Sequence, residues 1–287
     1  MNKHLPTLLL GFVACLTVQA CSSSPASNVQ SSDALQGKLV LTGSSTVAPL
    51  AAEIGKRFEA EHPGVRIDVQ TGGSSRGIAD ARKGLADIGM VSRALKQEED
   101  DLQSFSIALD GIGIILNRAN PIEAIADAQL IDIYTGKITN WQQVGGQNAP
   151  ITVVNKAEGR STLELFLKYF KLENTAINAQ VVIGDNEQGI KTVAGNPNAI
   201  GYVSIGAAEY SEREGVPIKL LPVGGVEAST ETVQQGEFPL SRPLNLVTKT
   251  TPEGTTPEGL TQIFIEFAQS QEVADLVAEQ NFVTLSP

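Results

Sequence analysis

Three short segments of this sequence have the residue types and spacing to bind an anion. Each passes from an apolar, strand-like stretch through a Ser/Thr turn into a helix-like stretch: TGSSTVAPL (42–50), TGGSSRGIADA (71–81) and NKAEGRSTLELF (155–166). The first N–H groups of a helix lack intrahelical partners and carry partial positive charge, and Ser and Thr hydroxyls add donors. A single such turn is typical of an ordinary helix cap. Three of them, two with an Arg, favour an oxyanion site where they converge.

The segments around these turns predict alternating strands and helices. KLVLTG (38–43), VRIDVQTG (65–72) and ADIGMVS (86–92) are typical of strands, and a helix-like segment follows each of the first two. After a further apolar strand at 110–121, the pattern resumes with a strand in ITVVNK and a helix in STLELFLKYFKL. Ligands of such sheets bind at the carboxyl ends of the strands, where these turns lie. We therefore expect an α/β fold of two lobes, each a mainly parallel sheet flanked by helices, with the ligand cleft between them.

The first twenty residues are typical of a secretory signal peptide. Lys3 and His4 precede the apolar run LLLGFVACLTV, which is too short to span a membrane, and Ala20 supplies a small residue for cleavage. VQAC resembles the lipobox of bacterial lipoproteins, which implies a lipid on Cys21. Cleavage by a general signal peptidase, or a free thiol, is the alternative. Residues 21–37 predict a flexible tether. We expect a periplasmic or cell-surface protein with a lipid anchor in the membrane, or a secreted one without it.

Composition and missing motifs exclude several classes of function. The formal net charge of −11 argues against nucleic-acid binding but permits an anion held by local donors. His62 is the one histidine outside the expected signal peptide, so a Ser-His-Asp triad would have to depend on it, and no second His or Cys is available to complete a zinc set. The Gly-rich turns lack the Gly-Lys-Ser/Thr end of a nucleotide loop. We therefore expect no enzyme activity, no metal and no cofactor.

Five motifs in a fixed order resemble those of the phosphate-binding proteins of bacterial phosphate ABC importers. They are TGSSTVAPL, GGSSRGIADARKGLADIGMVSR, ALDGIGIILN, YTGKITNW and NPNAIGYVS, and the resemblance covers nearly all of residues 38–287. It implies a periplasmic-binding-protein fold whose lobes, joined by two crossing strands, close over one inorganic phosphate. We assign 38–118 and 236–287 to the first lobe and 119–235 to the second. The resemblance also implies a membrane permease and an ATPase as partners, and we expect a monomer.

The resemblance carries phosphate contacts to positions where the motifs match. In the third turn the family usually has an Arg and, a few residues later, Ser-Gly-Thr; this chain has Lys156 and then Arg160-Ser161-Thr162. Thr162 matches, Ser161 is compatible, and Arg160 replaces a small donor with a long cation. The role of Lys156 stays open. In the first two turns the family implies contacts from five residues: Ser45, Thr46, Val47, Ser74 and Ser75.

The main departure from the family concerns a carboxylate. Many members have an acidic residue just after the third strand, which accepts the proton of hydrogen phosphate and repels sulfate; here that position reads Ser92-Arg93. Ser92 stays a candidate contact, and discrimination against sulfate is expected to weaken. Asp110 could substitute, with an exposed turn cap as the equal alternative. Arg76 and Arg93 could bind phosphate oxygens or pair with neighbouring carboxylates.

The sequence thus predicts an extracytoplasmic solute-binding protein that captures inorganic phosphate and delivers it to an ABC importer. Two alternatives stay open. A phosphate-ester hydrolase would use the same turns, but the shortage of His, Cys and metal-ligand clusters disfavours it. A surface adhesion or signalling lipoprotein would keep the fold without tight uptake, and the departures at Arg160 and Ser92-Arg93 are what support it.

Overall fold

The computed structural model describes residues 35–250 and 258–285. The expected signal peptide at 1–20, the lipid on Cys21 and most of the expected tether lie outside these residues. The tether ends earlier than expected, because Gln36 and Gly37 already pair with the second strand. Among the described residues, no helix is both long and apolar enough to cross a membrane.

Strands and helices alternate along most of the chain, as the sequence pattern predicts. The strands are β1 (Gln36–Gly43), β2 (Gly64–Thr71), β3 (Ile88–Val91), β4 (Leu102–Asn117), β5 (Thr152–Lys156), β6 (Val181–Ile183), β7 (Ala199–Ser204), β8 (Ile218–Leu221) and β9 (Ser241–Lys249). The helices are α1 (Ala48–Glu61), α2 (Ser74–Lys83), α3 (Asp127–Tyr134), α4 (Ser161–Phe170), α5 (Asn186–Ala194), α6 (Ile205–Arg213), α7 (Thr230–Gln234), α8 (Gly259–Ala268) and α9 (Ala274–Glu279).

The strands pair in the order β2-β1-β3-β9-β4-β7-β5-β6, and β8 also pairs with β4. Parallel pairs lie on both sides of the sheet: β1 with β2 and β3, and β5 with β6 and β7. The pairs that β9 makes with β3 and β4, and that β4 makes with β7 and β8, are antiparallel. The sheet is therefore mixed instead of mainly parallel, because β4 and β9 run through its middle in opposite directions.

Two main hydrophobic cores define the two lobes. The first lobe packs around residues such as Phe58 of α1, and the second around residues such as Phe166 of α4. The 16-residue strand β4 belongs to both, because Ala108 lies in the first core and Ile112 in the second. Strand β9 pairs with β4 up to Gly111, so the two strands cross between the lobes side by side. The lobe boundaries expected from the sequence remain predictions.

Candidate functional site

Arg242 lies where three turns of the chain meet. It stands near the start of β9, and its side chain is buried. Its Nη1 donates to Thr162 Oγ1 at 2.9 Å and to Ser92 Oγ at 3.5 Å, and its Nη2 donates to Thr46 Oγ1 at 3.3 Å. These hydroxyls follow β5, β3 and β1, so the carboxyl ends of strands from both lobes converge on one cation.

Asp110 of β4 fixes the position of this guanidinium group. Its Oδ2 accepts from Arg242 Nε at 3.1 Å and from Nη2 at 2.8 Å, and both side chains are 1 % exposed. Its Oδ1 accepts from Ser204 Oγ at 2.9 Å and from the Gly206 N–H at 3.3 Å. A carboxylate has about four acceptor positions, and each of these has a donor. Asp110 is thus neither an exposed turn cap nor a free acceptor for a ligand proton.

The three hydroxyls around the guanidinium group keep their own protons free to donate. Thr46 Oγ1 accepts a second bond from Asn186 Nδ2 at 3.1 Å, and Ser92 Oγ accepts a second bond from Ser44 Oγ at 3.0 Å. A hydroxyl oxygen has two lone pairs, so both acceptors are filled. Within the described residues, neither these two hydroxyls nor that of Thr162 has an acceptor for its proton. The arrangement presents three buried O–H donors beside a cation, which is chemistry suited to an anion.

The first turn is held by Ser44, which sequence reasoning missed. Its Oγ accepts from the N–H groups of Thr46 at 3.2 Å and Val47 at 3.4 Å. The Val47 side chain is fully buried in the first core, so the residue anchors the turn and its N–H is engaged within it. Ser45 is half-buried and lines a cavity together with Thr46.

The second turn contributes Ser74 to the cluster but not its two neighbours. Ser74 is buried, and its Oγ accepts from the Ser92 N–H at 3.2 Å. Ser75 and Arg76 are exposed, and Arg76 Nε lies 3.1 Å from Asp80 Oδ2, one helical turn further on. Helix α2 begins at Ser74, and the Ser75 hydroxyl lies 3.4 Å from Glu164 Oε1 and not in the cluster. The phosphate contacts expected of Ser75 and Arg76 therefore stay predictions.

The third turn places Arg160, Ser161 and Thr162 at the start of α4. Arg160 is the N-cap residue and makes no side-chain capping bond. Its Nε and the Oγ of Ser161 are buried, and neither has a hydrogen-bond partner in the part of the chain that the structure describes. The first N–H groups of α4 likewise have no intrahelical partners. Buried polar atoms without partners are costly, and these lie beside the cluster, so they are candidates to contact a ligand there.

A fourth strand-turn-helix segment, VVIGDNEQGI (181–190), also reaches the cluster. Asn186 begins α5, and its Oδ1 accepts from Lys156 Nζ at 3.1 Å while its Nδ2 donates to Thr46. Lys156 ends β5 and is 3 % exposed. Burial, followed by the charge of Arg242, lowers the pKa of Lys156 to about 7.

The two lobes touch across the cleft. Besides the bond between Asn186 and Thr46, the Ser75 N–H donates to the Gly159 carbonyl oxygen at 3.2 Å. Gly73 permits this approach, because it has φ of +92° and a Cβ there would lie 2.6 Å from that oxygen. A larger residue at this position would push the lobes apart.

Arg93 is buried but faces carboxylates instead of the cluster. Its Nη1 and Nη2 donate to Glu99 at 2.7 and 2.8 Å, and its Nε lies 3.1 Å from Glu164 Oε2. Lys96 Nζ lies 2.8 Å from the same Glu164 oxygen. Of the two roles that the sequence left open for Arg93, the ion pair is the one observed. Since Glu164 belongs to the second lobe, we call Arg93, Lys96 and Glu164 the interlobe clasp.

A cavity of about 510 Å³ lies beside the cluster. Thr46 and Asn186, which bridge the lobes, line it together with apolar side chains such as Pro49, Phe282 and the partly exposed Tyr210. It therefore leads from the surface to the residues around the cations. Among the described residues, no group of three or more His, Cys, Asp or Glu side chains is placed to hold a metal.

Comparisons with known proteins agree with this geometry. A PBP superfamily domain model matches residues 28–272. The chain is 27 % identical over 299 residues to the phosphate-binding protein PstS of Bacillus subtilis, an alignment that spans 100 % of this chain and 96 % of that protein. A Clostridium perfringens structure, described as a phosphate ABC transporter substrate-binding protein with bound phosphate, has 34 % identity and a TM-score of 0.78 over 87 % of this chain and 100 % of its own. An ABC-type phosphate transport receptor from Vibrio cholerae has 29 % identity and a TM-score of 0.70 over 86 % and 100 %.

Fold and site together define a two-lobed α/β binding protein with a buried cluster of hydrogen-bond donors between its lobes. The chain belongs to the PBP superfamily, in the family of phosphate ABC transporter substrate-binding proteins. The periplasmic-binding-protein fold expected from the sequence is thereby confirmed. The relatives named above are binding proteins and transport receptors, not enzymes.

Proposed function

We propose that this chain captures inorganic phosphate between its lobes and delivers it to an ABC importer. One observation carries the proposal: the buried hydroxyls of Thr46, Ser92 and Thr162 accept bonds from Arg242 and have no acceptor for their own protons in the described chain. A tetrahedral anion has acceptor oxygens in several directions and can receive all three. The relatives named as phosphate-binding proteins support phosphate as that anion.

The side chains have two kinds of role in this proposal. Those that contact the anion directly are Thr46, Ser92, Arg160, Ser161 and Thr162, with Ser45 at the rim. Arg242 supplies its positive charge beside them, because its five N–H donors are engaged with Asp110 and the three hydroxyls. Asp110 and Ser74 act one step further out. Asp110 accepts hydrogen bonds from the Arg242 guanidinium group, and Ser74 accepts one from the backbone N–H of Ser92. Because Asp110 has no vacant acceptor position, we propose that it positions Arg242 and does not receive the proton of the ligand.

Ligand binding is expected to hold the lobes together, since the anion adds contacts from both of them that the open form lacks. A membrane permease and an ATPase would receive the phosphate. We further propose an extracytoplasmic location, with Cys21 as the site of a lipid anchor, and a monomeric protein. Mass spectrometry of the protein from the membrane fraction would detect the lipid on Cys21. Protein found in the medium without the lipid would be the secreted form.

Calorimetric titration with phosphate, arsenate and sulfate tests the ligand. After removal of bound anion by unfolding and dialysis, we expect phosphate and arsenate to bind with a Kd of about 1 μM or below. Sulfate is expected to bind more weakly by only about a hundredfold or less, because Asp110, the carboxylate that the described residues place at the cluster, has its acceptor positions filled. Complete rejection of sulfate would require an acceptor for the phosphate proton in the site, and the absence of phosphate binding would contradict the proposed function.

The interlobe clasp is expected to slow the release of phosphate. Glu164→Gln removes the carboxylate that meets Arg93 and Lys96 across the cleft, while Arg93 keeps its bidentate pair with Glu99. Because the clasp is partly exposed, we expect a loss of about 1 kcal/mol of closure and about fivefold faster phosphate release in stopped-flow measurements. Glu53→Gln, which breaks an exposed pair within the first lobe, is the control. Equal release rates in both variants would mean that the clasp does not hold the closed form.

A further inference from the structure

Lys156 is a buried cation without a carboxylate partner. An ammonium group has three N–H donors, and one of them is used, in the bond to Asn186 Oδ1 at 3.1 Å. Within the described part of the chain, no carboxylate oxygen lies within 4.0 Å of its Nζ. The buried Arg93 and Arg242, by contrast, both have carboxylate partners. A buried lysine in this position is costly to keep charged while the site is empty.

The charged groups around Lys156 come from every element packed against it. Arg242 of β9 is balanced by Asp110 of β4, and Arg160 at the start of α4 makes no ion pair among the described residues. Asp185, before α5, favours the charged lysine, but its Oδ1 already accepts from the N–H of Gln188. Tyr202 of β7 accepts from the Lys156 backbone N–H, and burial keeps its hydroxyl neutral by raising its pKa. These four charges cancel, so a protonated Lys156 would leave one positive charge that an anion can balance.

We propose that Lys156 matches the charge of the site to a doubly charged anion by taking up a proton as the anion binds. This inference rests on the proposed function and goes beyond it, because it concerns the ionic form of phosphate that the site selects. The step is balanced: the neutral amine, one proton from solution and HPO₄²⁻ give an ammonium group beside the dianion, and the one bond formed is N–H. The two unused ammonium donors then point to the ligand.

A dependence on pH follows. Burial lowers the pKa of Lys156 to about 7 in the empty site, and a dianion beside it raises that value by stabilising the charged form. Below about pH 7 the lysine already carries its proton, so the contribution of Lys156 to binding is fully present. Above pH 7 the proton must be taken up, and the affinity for the dianion falls by up to about tenfold per pH unit until the pKa of the bound state is reached.

Proton uptake is measured by titrating the full protein with inorganic phosphate at about pH 8 in two buffers that differ in ionisation enthalpy. At this pH phosphate is mostly dianion and Lys156 is mostly neutral, so we expect uptake of nearly one proton per phosphate. Lys156→Arg keeps the positive charge but cannot lose its proton, so its uptake is expected to fall to near zero while phosphate still binds. Lys156→Met is expected to show neither the uptake nor the fall in affinity above pH 7, and to bind about tenfold or more weakly near pH 7.

The outcomes separate this inference from the proposed function. Failure of the wild-type protein to bind phosphate would overturn the function itself. Phosphate binding without proton uptake would overturn the role of Lys156 alone. Uptake that persists in Lys156→Arg would assign the proton to the phosphate or to another group, and would also overturn it. Circular dichroism of each variant establishes that it is folded before its uptake is compared.

Discussion

Arg242→Met is expected to abolish phosphate binding and to lower the free energy of unfolding by about 3–5 kcal/mol. The variant removes the fork that meets Thr46, Ser92 and Thr162, and it leaves Asp110 as a buried charge without its partner. Hydrogen bonds to charged groups contribute about 1.5–3 kcal/mol each. Without the guanidinium group the three hydroxyls are no longer held toward the anion, and loss of two of their bonds to it would weaken binding by more than a hundredfold, roughly. Calorimetry measures the binding, and urea unfolding measures the stability.

The double variant Arg242→Met with Asp110→Asn separates the two effects. It removes both charges, and Asn can still accept from Ser204 and the Gly206 N–H, so most of the lost stability is expected to return. Phosphate binding should stay absent. Arg76→Met removes an exposed arginine and should change neither quantity. Full phosphate affinity in Arg242→Met would place the anion elsewhere, and a double variant as unstable as the single one would mean that the arginine stabilises by packing alone.

Local sequence patterns predict the turns of this site because each turn is built within about ten residues. The apolar strands before 44, 74 and 161 and the helices after them form where the pattern predicts, and the structure brings Thr46, Ser74 and Thr162 together. A local pattern predicts that a helix forms, but it predicts less well which direction each side chain of the helix faces. Arg76 stands two residues after Ser74, close enough in sequence to reach the same site, but its side chain lies at the surface and pairs with Asp80.

The remainder of the site depends on pairings that no local pattern contains. Arg242 stands 132 positions after Asp110, and their contact exists only because β4 and β9 cross side by side. A cation at the start of the apolar stretch LSRPLNLV was the one signal for it. Asn186 was missed although its segment repeats the strand-turn-helix pattern, because Asp and Asn stand where the other turns have Ser and Thr. The first half of β4 has alternating polar residues and was not predicted as strand.

Replacing both threonines of the cluster is expected to weaken phosphate binding by about two to four orders of magnitude. Thr46→Val and Thr162→Val keep the side-chain shape and remove one O–H donor from each lobe, so each change alone should cost about 1.5–3 kcal/mol of binding. Both hydroxyls also accept from Arg242, so their effects are expected to couple instead of adding. A thermodynamic cycle from calorimetry of the two single variants and the double variant measures this coupling.

Serine at the same positions provides the matched control for this cycle. Thr46→Ser and Thr162→Ser keep the O–H and lose a methyl group, so binding should stay within about fivefold of the wild type, whereas the valine variants lose most of it. Ser75→Ala tests the second turn: the exposed hydroxyl lies outside the cluster and makes one long contact, 3.4 Å to Glu164 Oε1, so its removal should change affinity little. If serine and valine variants lost affinity equally, packing of the turns and not donation to the anion would explain the effect. If serine at both positions kept the affinity that valine loses, the O–H groups donated from the two lobes would be what binds the anion.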